Sequence, residues 1–221
     1  MNIQEQIKEI KGQLRLYMNG VVSASMRKKG LDYKLNFGVE LPRLKEIAEK
    51  VEPSVALAEG LWMENTRECK ILAIYLYPKE AFTESAATTW VSQTSNIEIA
   101  RLLSMRLLQY MDYIRPLCFR WIADSDELIQ TIGYLTIARI LQKEDSMDIR
   151  AVDEFTNQAM TAAISGNLNL RDASIIAMKN FMQQNDKNKN KILTLIEPYA
   201  QSENEYAKIL YNIIQEEAMY L

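Results

Sequence analysis

Apolar positions recur along the chain with the period of an α-helix. In the segment from Tyr206, the residues Tyr206, Ile209, Leu210, Ile213 and Ile214 fall at i, i+3, i+4, i+7 and i+8, which puts them on one face. Strand-like alternation is not sustained anywhere. The pattern predicts helices over about residues 3–18, 42–51, 67–77, 128–141, 148–165, 170–183 and 188–200, with another ending at Leu61-Trp62. Pro42 and Pro53 suit first helical turns, and Gly20, Gly30 and Gly38 suit breaks between the early helices. The run Asp186 to Lys191 reads as an exposed loop or a helix start.

A repeat emerges when helix starts are compared. Three segments offer a side-chain oxygen followed three residues later by a glutamate, the pattern of a reciprocal cap: Asn65 to Glu68, Ser95 to Glu98, and Asp124 to Glu127. They are spaced 30 and 29 residues apart, and a tryptophan precedes each one: Trp62, Trp90 and Trp121. A period near 30 with this content predicts helical hairpins stacked into a curved solenoid. In that arrangement the tryptophans pack inside the hairpins, or one of them stacks a base on a concave face.

Composition sharpens this picture. The chain has 221 residues, is 48% hydrophobic, and lacks a Pro/Gly/Ser-rich linker, so one domain spanning 1–221 is expected. Net charge is -3, but residues 1–50 hold ten Lys/Arg against six Asp/Glu, leaving -7 for the remainder. Any basic face is therefore N-terminal, and the cations Arg27, Lys28, Lys29, Lys34, Arg43 and Lys45 are the candidates for holding nucleic-acid phosphates. The alternative for them is a solvated helix end.

Two cysteines, Cys69 and Cys118, stand apart among apolar neighbours and read as small buried hydrophobes in a reducing cytoplasm. The polar N-terminal hexapeptide does not read as a signal peptide. The longest uncharged run, Thr156 to Leu170, is too polar to span a membrane, so no membrane partner is expected. No histidine is present, which removes the Ser-His-Asp triad and the HExxH zinc site, and neither GxGxxG nor a P-loop occurs. Neither a metal nor a nucleotide cofactor is expected.

Three stretches carry a family resemblance: Phe37-Gly38-Val39-Glu40-Leu41-Pro42-Arg43-Leu44-Lys45, Leu61-Trp62-Met63-Glu64-Asn65-Thr66-Arg67-Glu68, and Trp121-Ile122-Ala123-Asp124-Ser125. They resemble the Gly-aliphatic-x-x-Pro approach to a basic helix, the Leu-Trp-x-x-x-x-Arg-Glu element and the Trp-Ile-Ala-Ser-Asp turn of the DNA alkylation repair family of AlkD-like alkylpurine DNA glycosylases. The similarity spans about residues 20 to 200. It implies an all-α, HEAT-like/ARM-type helical-repeat solenoid, a curved α-α superhelix whose concave, positively charged groove grips duplex DNA. Tryptophans, an aspartate and an arginine surround the lesion in such glycosylases. Aromatic faces attract a cationic alkylpurine, and the carboxylate stabilises the oxocarbenium-like sugar.

Laid residue by residue on this chain, the family's Trp-x-x-x-Asp element falls on Ile97 and Arg101, its arginine on Thr131 and its later tryptophan on Ile176. A cation at position 101 opposes both a cationic base and a developing oxocarbenium ion. The expectation is a divergent DNA alkylation repair protein that binds double-stranded DNA through its helical-repeat surface without the known glycosylase site. Two alternatives stand beside it. One is an active alkylpurine glycosylase with relocated catalytic groups, for which Glu98 is the candidate carboxylate; the other is a scaffold for a protein partner.

Overall fold

The computed structural model describes residues 2–143, 147 and 149–221. Among them are thirteen α-helices: α1 (Ile3–Leu16), α2 (Gly20–Lys28), α3 (Leu41–Ala48), α4 (Val55–Trp62), α5 (Arg67–Leu76), α6 (Glu84–Ser92), α7 (Ile97–Arg106), α8 (Ile114–Ile122), α9 (Glu127–Leu141), α10 (Ile149–Ala162), α11 (Leu168–Met182), α12 (Asp186–Ile196) and α13 (Glu205–Tyr220). No strand occurs among the described residues; Leu35 and Thr66 form an isolated bridge. The protein is all-α and built from paired helices. The predicted start of one helix at residue 148 lies outside the described residues.

The chain forms two compact units, residues 1–86 and 87–221. In the first, α5 packs against both α3 and α4, and α1 lies on α4. The apolar stripe of α1, Ile7, Ile10 and Leu14, is buried there with Leu57, Leu61 and Trp62 of α4. Gly60 admits α1 to this contact, because a Cβ at that position would stand 2.9 Å from Ile7 Cδ1. In the second unit α8 pairs with α9 and α10 with α11, while α7, α9 and α11 pack side by side. A Cβ on Gly133 of α9 would lie 2.8 Å from Ile122 Cγ2 and 3.1 Å from the Ile122 nitrogen, so this glycine sets how closely α8 and α9 approach.

The second helices of the early hairpins, α5, α7 and α9, begin at residues 67, 97 and 127, a strict thirty-residue spacing. Beyond them the period lengthens, with α11 beginning at residue 168 and α13 at 205. Helices of 14 and 15 residues in α10 and α11, against 10 in α5 and α7, account for part of the change.

Two local expectations need correction, and one helix comes as an addition. None of the three proposed reciprocal caps forms as written: α5 starts after Thr66, α7 is capped by Asn96 onto Ile99 N–H, and α9 by Asp126 onto the N–H groups of Leu128 and Ile129. At α7 and α9 a neighbouring side chain with the same capping ability sits one or two residues closer to the helix, whereas at α5 no side chain caps and Asn65 Oδ1 accepts from Lys34 N–H instead. Pro53 precedes the cap residue Ser54 and so stands outside α4, whereas Pro42 does lie in the first turn of α3. The helix α2, not anticipated, begins at Gly20 behind the cap Asn19. The tryptophans Trp62, Trp90 and Trp121 are all buried, as expected for rings packed inside the hairpins and contrary to the alternative of a base-stacking ring.

Candidate nucleic-acid interface

The cations of the N-terminal segment are mounted on α2, on the loop that follows it, and on α3. Arg27 and Lys28 occupy the last turn of α2 and Lys29 its C-cap, where positive charge complements the helix dipole, and all three are exposed. Gly30, at φ +85°, then turns the chain out of the helix. Lys34 is exposed in the loop, its backbone N–H donating to Asn65 Oδ1 at 3.2 Å. On α3, Arg43 pairs with Glu46 and its guanidinium lies 4.4 Å from the Tyr17 ring centroid, while Lys45 Nζ is 3.6 Å from Glu49. Both ion pairs are solvent-exposed and within one helix, the kind that contributes little and that a phosphate can replace.

What fixes this surface is a buried carboxylate below it. Glu68, fully buried at the start of α5, accepts hydrogen bonds from the backbone N–H groups of Phe37 (3.1 Å), Gly38 (3.0 Å) and Val39 (3.2 Å). Arg67 Nη1, also buried, donates to the same carboxylate at 3.0 Å and to the Val39 carbonyl at 2.8 Å. The chain can wrap so closely only because residue 38 is glycine. Its φ is +72°, and a Cβ would lie 2.2 Å from the Asn19 carbonyl oxygen and 2.7 Å from the Ser23 nitrogen. Asn19 N–H in turn donates to the Phe37 carbonyl at 2.8 Å, and Ser23 Oγ to the Asn36 carbonyl at 2.8 Å. The first two sequence motifs therefore meet in one device, in which Arg67 and Glu68 hold the Gly38 loop and the loop positions α2 and the start of α3.

The substituted positions lie in the second unit. Ile97 opens α7 and is half-buried, Glu98 follows it in the first turn, also half-buried, and Arg101 is exposed one turn on. Thr131 is buried in α9, its hydroxyl donating to the Glu127 carbonyl at 2.6 Å, and Ile176 is exposed on α11. A carboxylate, an arginine and an indole are thus absent from these positions; an exposed guanidinium, a buried hydroxyl and an exposed aliphatic chain stand in their place.

A polar cluster that motif reading missed lies nearby. Glu127 accepts from Ser165 Oγ (3.2 Å) and Asn167 Nδ2 (2.8 Å), and Arg171 donates to the Ser165 carbonyl at 2.6 Å with its guanidinium 4.2 Å from the Tyr206 ring centroid. Glu127 stands 38 and 40 residues from its two partners, which leaves no local pattern to find.

Nucleophilic chemistry is absent from both thiols. Burial pushes the Cys69 thiol up to about 12 and also raises that of Cys118, and both side chains are fully enclosed. Among the described residues no group of three or more His, Cys, Asp or Glu is placed to hold a metal ion, and no helix is long and apolar enough to cross a membrane.

The family model described as DNA alkylation repair enzyme matches residues 10–163. No curated protein matches the sequence. Among solved structures, one described as "A new family of proteins related to the HEAT-like repeat DNA glycosylases with affinity for branched DNA structures" superposes with a TM-score of 0.77 at 16% identity, covering 96% of this chain and 94% of that one. A second, described as "Crystal structure of Cex1p", gives a TM-score of 0.48 at 17% identity over 80% of this chain and 38% of that one. The first of these shows that the fold is a HEAT-like helical repeat.

Proposed function

This chain belongs to the DNA alkylation repair enzyme family, and from that premise we propose that it binds DNA, branched forms included, without excising bases through the family's usual site. The observation that carries the reading is the local excess of cations on the segment that runs from the end of α1 through α2 to α3. Between residues 15 and 45 stand seven Lys/Arg and only two Asp/Glu, although the whole chain carries -3. Phosphate binding by such a surface is driven by counterion release and is therefore salt-dependent. Arg27, Lys28, Lys29 and Lys34 would contact phosphates directly, with Arg43 and Lys45 exchanging Glu46 and Glu49 for them.

The absence of excision rests on Arg101. Removing one electrostatic stabiliser from an active site costs about 10²- to 10³-fold in rate, and reversing its sign costs more. Glu98 precedes Arg101 by three residues on the same helix, so the two side chains are neighbours, and a carboxylate beside a guanidinium is a weaker stabiliser of a cationic transition state.

The test is fluorescence anisotropy with an intact duplex and a four-way junction at two salt concentrations, alongside an excision assay on alkylated DNA. The expected result is binding that weakens with salt, a shallower salt slope in Lys28→Glu/Lys29→Glu, and no release of 3- or 7-methylpurine. Release of alkylpurine abolished by Glu98→Gln would establish the relocated glycosylase instead. No binding at low salt would remove the DNA reading and favour a protein partner.

A further inference from the structure

The turn between α1 and α2 carries an apolar surface that packing does not use. Leu16 is 81% exposed, Tyr17 42%, Met18 64% and Val21 82%, four apolar side chains within six residues. Apolar residues scattered singly over a surface are ordinary, but a contiguous cluster marks a contact site. This cluster is held out on a firm mount. Asn19 caps α2 by accepting from Val22 N–H at 3.1 Å, its own N–H is bonded to Phe37, and its carbonyl sits against Gly38, the residue that Glu68 grips from below.

Two arginines adjoin the cluster, one of them paired with Glu46. Arg15 precedes it on the last turn of α1 and is exposed, and Arg43 lays its guanidinium against the Tyr17 ring. The other Lys and Arg of residues 15–45 follow on α2, the loop and α3. An apolar tip flanked by arginines fits a polyanion that also exposes an apolar face. An uninterrupted duplex offers no such face, since its bases are stacked. At a branch point the terminal base pairs lose a stacking neighbour, and apolar side chains can cover the bared face while flanking cations take the phosphates.

An anionic bilayer combines the same two chemistries, but interfacial binding draws on a long amphipathic helix face. Here the apolar residues sit at a turn and number four. The Tyr17 ring already stacked on Arg43 is the arrangement a base extends.

We propose that Leu16, Tyr17, Met18 and Val21 form a wedge that covers the unstacked base pair at a DNA branch point, with Arg15 and Arg43 on the adjoining phosphates. The proposal rests on the DNA-binding reading above and adds to it the device that selects branched over continuous DNA.

The decisive comparison uses the full chain with a four-way junction and with a continuous duplex closed by hairpins at both ends, so that neither presents a free end. The variant Leu16→Ser/Met18→Ser/Val21→Ser removes the wedge from exposed positions, with circular dichroism as the check on folding. Tyr17→Ser is the single-site companion. The expected result is that the wild type prefers the junction, that the triple variant loses about tenfold in junction affinity, and that its duplex affinity changes less than twofold. A 2-aminopurine placed at the branch should change fluorescence with the wild type and much less with the triple variant. Lys28→Glu/Lys29→Glu should weaken junction and duplex alike.

Equal wild-type affinity for junction and duplex, or triple and Tyr17→Ser variants that retain the preference, would overturn the wedge while leaving the phosphate-binding surface intact. Binding to vesicles containing anionic phospholipid that is lost in the triple variant, with junction affinity unchanged, would assign the cluster to a membrane and overturn it too. A wild type that binds no DNA would overturn both readings together.

Discussion

Glu68 in the first unit and Glu127 in the second both lie in the opening turn of a hairpin's second helix, Glu127 as its first residue and Glu68 as its second. Glu68 is fully enclosed and collects three backbone N–H groups from a loop about thirty residues earlier in the chain, together with its own neighbour Arg67. Glu127 is exposed and reaches to Ser165 and Asn167, about forty residues later. Local sequence treats the two as equivalent, since each stands three residues after a side chain able to cap and opens an apolar helix. What separates them is the segment that passes overhead, a glycine loop in one case and the polar connection between α10 and α11 in the other. A repeat can preserve a residue's position while burial reassigns its work.

The comparison predicts a graded series of effects. The largest is expected for Glu68→Ala, which removes the carboxylate partner of buried Arg67 and leaves the amides of Phe37 and Val39 without their acceptor, while Gly38 keeps only Asn36 Oδ1, at a cost of about 3–5 kcal/mol. Urea denaturation followed by far-ultraviolet circular dichroism would measure it. A loss under about 1 kcal/mol would put Glu68 on a level with Glu127. Next comes Gly38→Ala, where the left-handed backbone alone costs about 1–3 kcal/mol and the approach to the Asn19 carbonyl adds to it. A melting temperature equal to the wild type would show that the loop can move away from Asn19.

Glu127→Ala should cost about 1 kcal/mol, the ordinary value for hydrogen bonds at an exposed site. A cost as large as that of Glu68→Ala would mean that the two helix starts are used alike. The smallest effect belongs to the pair formed by Lys179 of α11 and Glu217 of α13, 2.6 Å apart. The hydrogen bond from Lys179 holds the Glu217 carboxyl below its ordinary value, so its stabilisation is present above the unfolded pKa and is lost as pH falls through the folded one. Lys179→Met should flatten the acid limb of stability against pH by less than about 1 kcal/mol. A limb as steep as the wild type's would assign the acid sensitivity to other carboxylates.

Helices were legible wherever an apolar stripe recurred, as in α1, α11 and α13, because the stripe and the buried face are the same thing. The helix α2 was missed because GVVSASMRK carries no such stripe; of its nine residues only Ser23 is buried. Cap positions slipped by one or two residues where several capable side chains stand in a row, as in Asp124-Ser125-Asp126, and only the backbone decides among them. The cations could be read directly from sequence, since charge needs no fold to be seen. The apolar tip could not. A helix was expected to reach residue 18, but α1 ends at Leu16, which lies off its buried stripe of Ile7, Ile10 and Leu14, and Tyr17 and Met18 follow in an exposed turn. Likewise the buried Thr131 and the exposed Ile176 could be placed on helices from sequence, but not on opposite sides of the surface.

The grip of Glu68 on three consecutive amides has a consequence for exchange with solvent. Loop amides ordinarily trade their protons quickly, through small local openings. Those of Phe37, Gly38 and Val39 are bonded to a carboxylate inside the core, beside an arginine that is also bonded to the loop. They can meet water only when α5 and the loop part company. Their protons should therefore keep time with the slowest amides of α5, and a stretch of irregular backbone should record the opening of the helix beneath it.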